Sequence, residues 1–202
     1  ISPVGYANGI STHLQDLIDK GEHRSLNETE KEQIINKAAK HFNDFLIALG
    51  VNFTDDPNSM ETGRRVAKSY VNDLWKGRYN LMDDITSFPT DGYDGCITQT
   101  NIDLESMCSH HHLSIRGRVH VSYIPGEGEN NRVIGLSKIN RVVEHFGRRG
   151  DIQEQLTEAI SNAICKICEG NLGVAVMIVA DHGCVACRGI GHKNSTMVTT
   201  KF

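Results

Sequence analysis

No apolar run in this 202-residue chain approaches the length that crosses a bilayer, so a soluble protein without membrane partners is expected. The opening residues, Ile1 to Ser11, lack the charged-then-apolar pattern of a secretory signal. Residue 1 is Ile rather than Met, and a native N-terminus further upstream is expected. Positive charge is not in surplus either. The formal net charge is −4, which argues against a general nucleic-acid binder. An anionic substrate would have to find its positive charge gathered locally. The six cysteines, at 96, 108, 165, 168, 184 and 187, lack the spacing of a secreted disulfide framework and point to a reduced, cytoplasmic setting. There is no internal repeat and no low-complexity tract. The length suits one domain or a domain with an appendage, and it can bury an ample core without staples.

What is present divides by periodicity. Ile35, Ala38, Ala39, Phe42, Phe45, Leu46 and Leu49 recur at helical spacing, and Gly50 stops that helix. Ala67, Tyr70, Val71 and Leu74 predict a second helix. Residues 77–95, rich in Gly, Asp and Pro, read as a long connection. The period then becomes two: Leu113, Ile115, Gly117, Val119, Val121 and Tyr123 alternate with polar residues, as in a half-buried antiparallel strand ended by Pro125-Gly126. Ser137 is the expected N-cap of a helix whose apolar face is Ile139, Val142, Val143 and Phe146. Gly147 to Gly150 breaks it. Ile152, Leu156, Ala159, Ile160, Ala163, Ile164 and Ile167 mark the next helix. Leu172 to Ala180 reads as a buried strand, and Ser195 to Phe202 has a β-rich composition. The expected class is α+β: helices over residues 1–92, then strand–strand–helix–helix–strand–strand over 93–202.

Two segments carry metal-ligand chemistry. Cys108-Ser109-His110-His111-His112 holds a C-x-x-H spacing, and Asp181-His182-Gly183-Cys184-Val185-Ala186-Cys187-Arg188 holds a C-x-x-C spacing. Thiolate with imidazole is what zinc prefers. Four ligands, Cys108, His111, Cys184 and Cys187, would make a closed structural site. Three ligands and a water would make a catalytic one, and His110 and His182 stand where proton-transfer groups serve such chemistry. A third reading has the cysteines as small buried hydrophobes, which Cys165 and Cys168 illustrate on a helix. On an extended segment His110 and His112 share one side and His111 the other, so spacing alone does not choose the ligand.

Anion-binding chemistry is also present. Gly135-Leu136-Ser137-Lys138-Ile139-Asn140-Arg141 opens a helix whose free N–H groups and dipole favour an anion. Lys138 and Arg141 share a helical face. Arg188, Arg64 and Arg65 are further cations suited to a polyphosphate, although such groups are more commonly a solvated face. Glu154, beside Gln153, can accept paired hydrogen bonds from a guanine edge, or simply complement a helix dipole.

With these segments in order, the chain resembles the GTP cyclohydrolase I family. The resemblance rests on Cys108-Ser109-His110-His111, Val133 to Arg141, Gln153-Glu154-Gln155-Leu156, His182-Gly183-Cys184 with Arg188-Gly189, and Met60 to Lys68. It runs from about residue 30 to the end, and ordered agreement is more specific than any one motif. It implies zinc held by Cys108, His111 and Cys184, leaving out Cys187, with His110 and His182 as catalytic histidines. It implies that Ser137, Lys138, Arg141 and Arg188 hold a triphosphate, with Arg65 reaching in from a neighbouring subunit, and that Glu154 anchors guanine with Gln153 close by. The implied reaction opens the imidazole ring of GTP by hydrolysis at C8, releases formate and recloses a pterin ring, giving 7,8-dihydroneopterin triphosphate. The implied fold is the tunnelling fold, in which antiparallel sheets of several subunits join into a barrel, and the implied assembly is a homodecamer.

The chain departs from the family at four of these positions. Ser109 stands in place of a usual Glu, His112 in place of an apolar residue, Gly63 in place of a common Pro, and Ala186 in place of a longer side chain. Loss of the carboxylate at Ser109 removes a negative charge beside the expected metal. The chain also stops at Phe202, before the family's usual end, and a longer tail is expected. The alternatives are a related cyclohydrolase with another metal or product, and a zinc-stabilised binding module without turnover, in which Cys187 would close the metal site.

Overall fold

The computed structural model describes residues 25–202; the reading of Ile1 to Ser11 falls outside them. Among the described residues no helix is long and apolar enough to cross a membrane. The chain divides into two compact units between Leu81 and Met82.

The first unit is helical. Helix α1 (Glu28–Ala48) starts at a capping box: Asn27 Oδ1 accepts from the Glu30 N–H at 3.0 Å, and Glu30 Oε2 accepts from the Asn27 N–H at 2.9 Å. It ends as expected, with Gly50 in the left-handed region at φ 74°. Helix α2 (Thr62–Ser69) passes into a π-helical turn (Tyr70–Leu74) and a short α3 (Lys76–Tyr79). Leu26, Ile34, Ile35, Ala67, Val71 and Tyr79 form this unit's core. Gly63 explains its own departure from proline. A Cβ there would lie 2.7 Å from the Ala39 carbonyl oxygen and 2.2 Å from Asn43 Oδ1, so α2 approaches α1 too closely for any side chain.

The second unit is an antiparallel sheet covered on one face by two helices. Its strands are β2 (Ile97–Met107), β3 (Ser114–Ile124), β5 (Gly173–His182) and β6 (Thr196–Lys201), in the order β2-β3-β5-β6. A two-stranded ribbon pairs β1 (Ser87–Pro89) with β4 (Arg132–Ile134). The connection expected over 77–95 therefore contains a strand, and β1 carries the residues after Leu81 into the sheet unit. Helices α4 (Leu136–Gly147) and α5 (Gln153–Ile167) lie between β4 and β5 in the chain, and a four-residue α6 (Gly183–Ala186) follows β5. The class is α+β, as expected.

Alternation decides which residues face the helices. Ile102, Leu104, Ser106 and Cys108 are buried along β2, Ile115, Val119, Val121 and Tyr123 along β3, and Val174, Val176, Ile178 and Ala180 along β5. Ile139, Val142 and Val143 of α4 and Leu156, Ile160 and Ile164 of α5 are fully buried against them. Each such aliphatic side chain contributes about 1.5–3 kcal/mol. The opposite face is polar, with Arg116 paired to Glu105 at 3.3 Å and Arg118 paired to Asp103.

Gly117 is the tightest point of the sheet. A Cβ there would stand 2.0 Å from the Val179 carbonyl oxygen and 2.6 Å from Ala180 Cα, both backbone atoms of the paired strand. Gly117→Ala is expected to destabilise the sheet unit by about 1–3 kcal/mol, the usual scale of overpacking. Denaturant unfolding followed by circular dichroism checks it; an unchanged midpoint would refute the close approach.

Candidate active site

Register brings the two metal-type segments together. Ile115 of β3 faces His182 of β5 on one side and Ser106 of β2 on the other. Cys108 directly follows β2 and is 4% exposed. The turn that follows is closed by the Cys108 N–H to the Leu113 carbonyl at 3.0 Å and by the His112 N–H to the Cys108 carbonyl at 3.0 Å. His112 sits in the left-handed region at φ 52°, so its place is conformational: it turns the chain back into β3. Gly183 lies against this same turn, since a Cβ on it would be 3.3 Å from Leu113 Cβ and from the Ser114 carbonyl oxygen. Cys184 is thereby carried to the same end of the sheet as Cys108.

The donors are of the right kind. All six cysteines are free thiols, with Cys108 buried and Cys184 half-buried. His110 and His111 are exposed, their rings 6.3 Å apart and nearly perpendicular. Two thiols and an imidazole on adjoining turns suit zinc by donor chemistry. Among the described residues, however, no three donors stand within reach of one ion. Cys187 turns elsewhere, its thiol donating to the Gly183 carbonyl at 2.7 Å. Cys168 is fully buried and donates to the Arg132 carbonyl at 3.1 Å, whereas Cys165 is exposed.

His182 continues the inward face of β5 and meets the start of α5. Its Nε2 is 2.7 Å from Gln153 Oε1. Burial pushes the imidazole below its ordinary pKa, while the carboxylates of Glu154 and Asp181 pull it back up. Burial prevails, which favours the neutral ring. Gln153 is fully buried, and its Nε2 faces the carbonyls of Ile178 at 3.2 Å and Met197 at 3.1 Å and Thr199 Oγ1 at 3.1 Å. Its neighbour Glu154 is exposed in the first turn of α5.

The anion-type segment stands at the other end. Gly135, not Ser137, is the N-cap of α4; it takes extended geometry, and the Lys138 N–H bonds to its carbonyl at 2.8 Å. The reason is that β4 runs straight into the helix, so winding begins two residues early. Ser137 then lies in the first turn, where backbone N–H groups have no intrahelical acceptor. Tyr123, 1% exposed, fixes this junction: its hydroxyl oxygen accepts from the Ile134 N–H at 2.8 Å. Gln99 Nε2 bonds to Asn140 Oδ1 at 2.5 Å and holds the first turns of α4 on β2.

Along β3, Tyr123 and Ile115 are separated by about 25 Å at strand rise. Cys108, His110, His111, Gln153, Glu154, His182, Cys184 and Arg188 thus belong to one end of the sheet, and Ser137, Lys138 and Arg141 to the other. Arg141 lies 4.0 Å from Asp83. Arg65 belongs to the helical unit, where its guanidinium donates to the Asn58 carbonyl and to Thr62 Oγ1. Arg64 is paired to Glu32 at 2.6 Å. The residue whose site role sequence reading missed is Tyr123: it reads as an ordinary inward position of an alternating strand.

Known proteins are similar to this chain. A profile of the family described as GTP cyclohydrolase I matches residues 38–202. Proteins named GTP cyclohydrolase 1 are similar along most of the chain. The one from Tolumonas auensis is 36% identical over 196 residues, covering 96% of this chain and 83% of its own. That from Aeromonas salmonicida is 38% identical over 180 residues, covering 88% and 78%. That from an Enterobacter species is 37% identical over 198 residues, covering 97% and 83%.

Tyr123→Phe leaves the buried Ile134 N–H without its acceptor and loosens the start of α4. A loss of about 1–3 kcal/mol in stability is expected. Denaturant midpoints of the two proteins measure it, and equal midpoints would show that the hydroxyl does not hold the junction.

Proposed function

The chain belongs to the GTP cyclohydrolase I family, and on that premise we propose that it hydrolyses GTP to 7,8-dihydroneopterin triphosphate and formate in the cytoplasm. It is an enzyme of the GTP cyclohydrolase I type. The observation that carries the detailed reading is the 2.7 Å contact between His182 and Gln153, with Glu154 beside it. It sets the proposed guanine anchor and a proton-transfer group at one end of one sheet, next to the turn that bears Cys108, His110 and His111.

The proposed zinc ligands are Cys108, His111 and Cys184. When bound, zinc would lower the pKa of a water for hydrolysis at C8. A bound ion also requires deprotonated thiols and would draw the two turns together. The remaining steps fall to the chain's own groups. Glu154 accepts from the guanine edge and sets the ring in place. His182, favoured as the neutral ring by burial, takes up and returns protons. His110, exposed on the facing turn, serves the second proton transfer. Cys187, spent on the Gly183 carbonyl, supports an open three-ligand site over a closed four-ligand one.

The triphosphate is assigned to Ser137, Lys138, Arg141 and Arg188, with Arg65 from a neighbouring subunit. Within one chain the segment from Ser137 to Arg141 is most of a strand away from His182, so a second copy is needed to bring that cluster to the reacting end. A homodecamer meets that need. Among the described residues, strands β2 and β6 each leave one edge unpaired.

Formate release from GTP and the rise of pterin absorbance test the activity. A fully metallated protein that leaves GTP unchanged would sink the enzyme reading in favour of a binding module. His182→Ala is expected to keep the metal and lose at least about a hundredfold in kcat. Cys184→Ser is expected to lose both metal and turnover. Metal analysis of the purified variants separates the two, and an empty site in His182→Ala would overturn the ligand assignment.

A further inference from the structure

Hydrogen bonds around Gln153 run in one direction only. The Gln153 backbone carbonyl can only accept, so the Thr157 hydroxyl, 2.7 Å away, donates to it. With its proton used there, Thr157 Oγ1 accepts from the Thr199 hydroxyl at 2.6 Å. Thr199 Oγ1 in turn accepts from Gln153 Nε2 at 3.1 Å. The same nitrogen faces the carbonyl oxygens of Ile178 and Met197. Turning the amide over would set its oxygen against two carbonyls and a hydroxyl whose proton is already committed, with Gln153 fully buried. Only one amide orientation puts the two N–H groups, shared among three acceptors, on this side, and it points Oε1 at His182. An amide oxygen has no proton to give, so the imidazole Nε2 at 2.7 Å must carry it.

We infer that Gln153 is a positioning residue that holds His182 as the Nε2–H tautomer, leaving Nδ1 as the ring nitrogen that exchanges protons at the substrate. Among the described residues no hydrogen bond engages His182 Nδ1. The amide of Gln153 has no donor left for a ligand, so recognition of a base at the start of α5 falls to the exposed Glu154 alone. The consequence for turnover rests on the catalytic reading of His182. The tautomer itself does not, because it follows from hydrogen-bond direction.

The direct test is 15N spectroscopy of histidine-labelled, metal-loaded protein near neutral pH, with the His182 resonances assigned by their loss in His182→Ala. A protonated Nε2 and an unprotonated Nδ1 are expected; the reverse pattern, or an average of the two, overturns the inference. Gln153→Met keeps the length of the side chain and removes its hydrogen bonds. It is expected to average the tautomers and to lower kcat about 10–100-fold, the scale on which partners orient a functional histidine, with KM for GTP unchanged. An unchanged spectrum in a folded Gln153→Met protein refutes the role of Gln153. Thr199→Val is the second variant: the Ile178 and Met197 carbonyls still orient the amide, so the wild-type pattern is expected, and a switch to Nδ1–H overturns the inference. If the tautomer is as expected but His182→Ala turns over GTP normally, the catalytic reading fails and the positioning role stands.

Discussion

One buried side-chain amide, that of Gln153, holds the reacting end of the molecule together. It ties the first turn of α5 to β5 through the Ile178 carbonyl and to β6 through Met197 and Thr199, and it receives the His182 ring. On the buried, helix-covered face of the sheet an amide is stable only where its partners are met. The same bonds that close the sheet onto α5 therefore orient a histidine. Stability of the sheet edge and geometry of the site are one set of interactions.

The opposite end of β3 is built on a different principle. Tyr123 and Asn131 satisfy backbone groups where the chain turns from β3 through β4 into α4: Tyr123 takes the Ile134 N–H, while Asn131 donates to the Gly126 and Tyr93 carbonyls at 2.9 Å. The one cation committed on β4 is Arg132, whose Nε donates to Ser87 Oγ at 2.9 Å, while Lys138 and Arg141 remain near the surface of α4. Separation of the end proposed for proton transfer from the cation-bearing end by the length of a strand is what the proposed assembly of several copies would require. Under the proposed assembly, each copy would offer one neighbour an anion site while completing its own site from another.

Much of this was legible in sequence, and the physical reasons mark where legibility stopped. Period-two burial made β3 readable and period-3.6 burial of aliphatic side chains made α4 and α5 readable, whereas α1 was readable from spacing alone, since Phe45 and Leu49 are exposed. The proximity of Cys108 to Cys184 followed only once β3 was seen to pair with both β2 and β5. Capping was misread at Ser137 because a side-chain preference was given more weight than the run of β4 into Gly135, which no local pattern encodes. The β1–β4 ribbon was hidden because three-residue strands have no period. His112 had no visible purpose until its φ of 52° gave it one. Gly63 was only a departure from a common Pro until the Ala39 carbonyl oxygen was found 2.7 Å from where a Cβ would be.

Gln153 shows the limit most sharply. Beside Glu154 at a helix start it reads as half of a ligand-binding pair, since amide and carboxylate are both good partners for a base. Whether an amide serves a ligand or the protein depends on what lies across from it, and here that is two carbonyls and a hydroxyl from strands far along the chain. A carboxylate at this position would present those carbonyls with no donor, so the residue behind His182 has to be neutral and able to donate as well as accept. Glutamine meets both demands at the reach required. The charge that acts on the imidazole then comes from the exposed side, from Glu154 and Asp181, where solvent moderates it. A neutral, buried amide that fixes the ring and carboxylates that act from the solvent side suit the proton-transfer role proposed for this histidine.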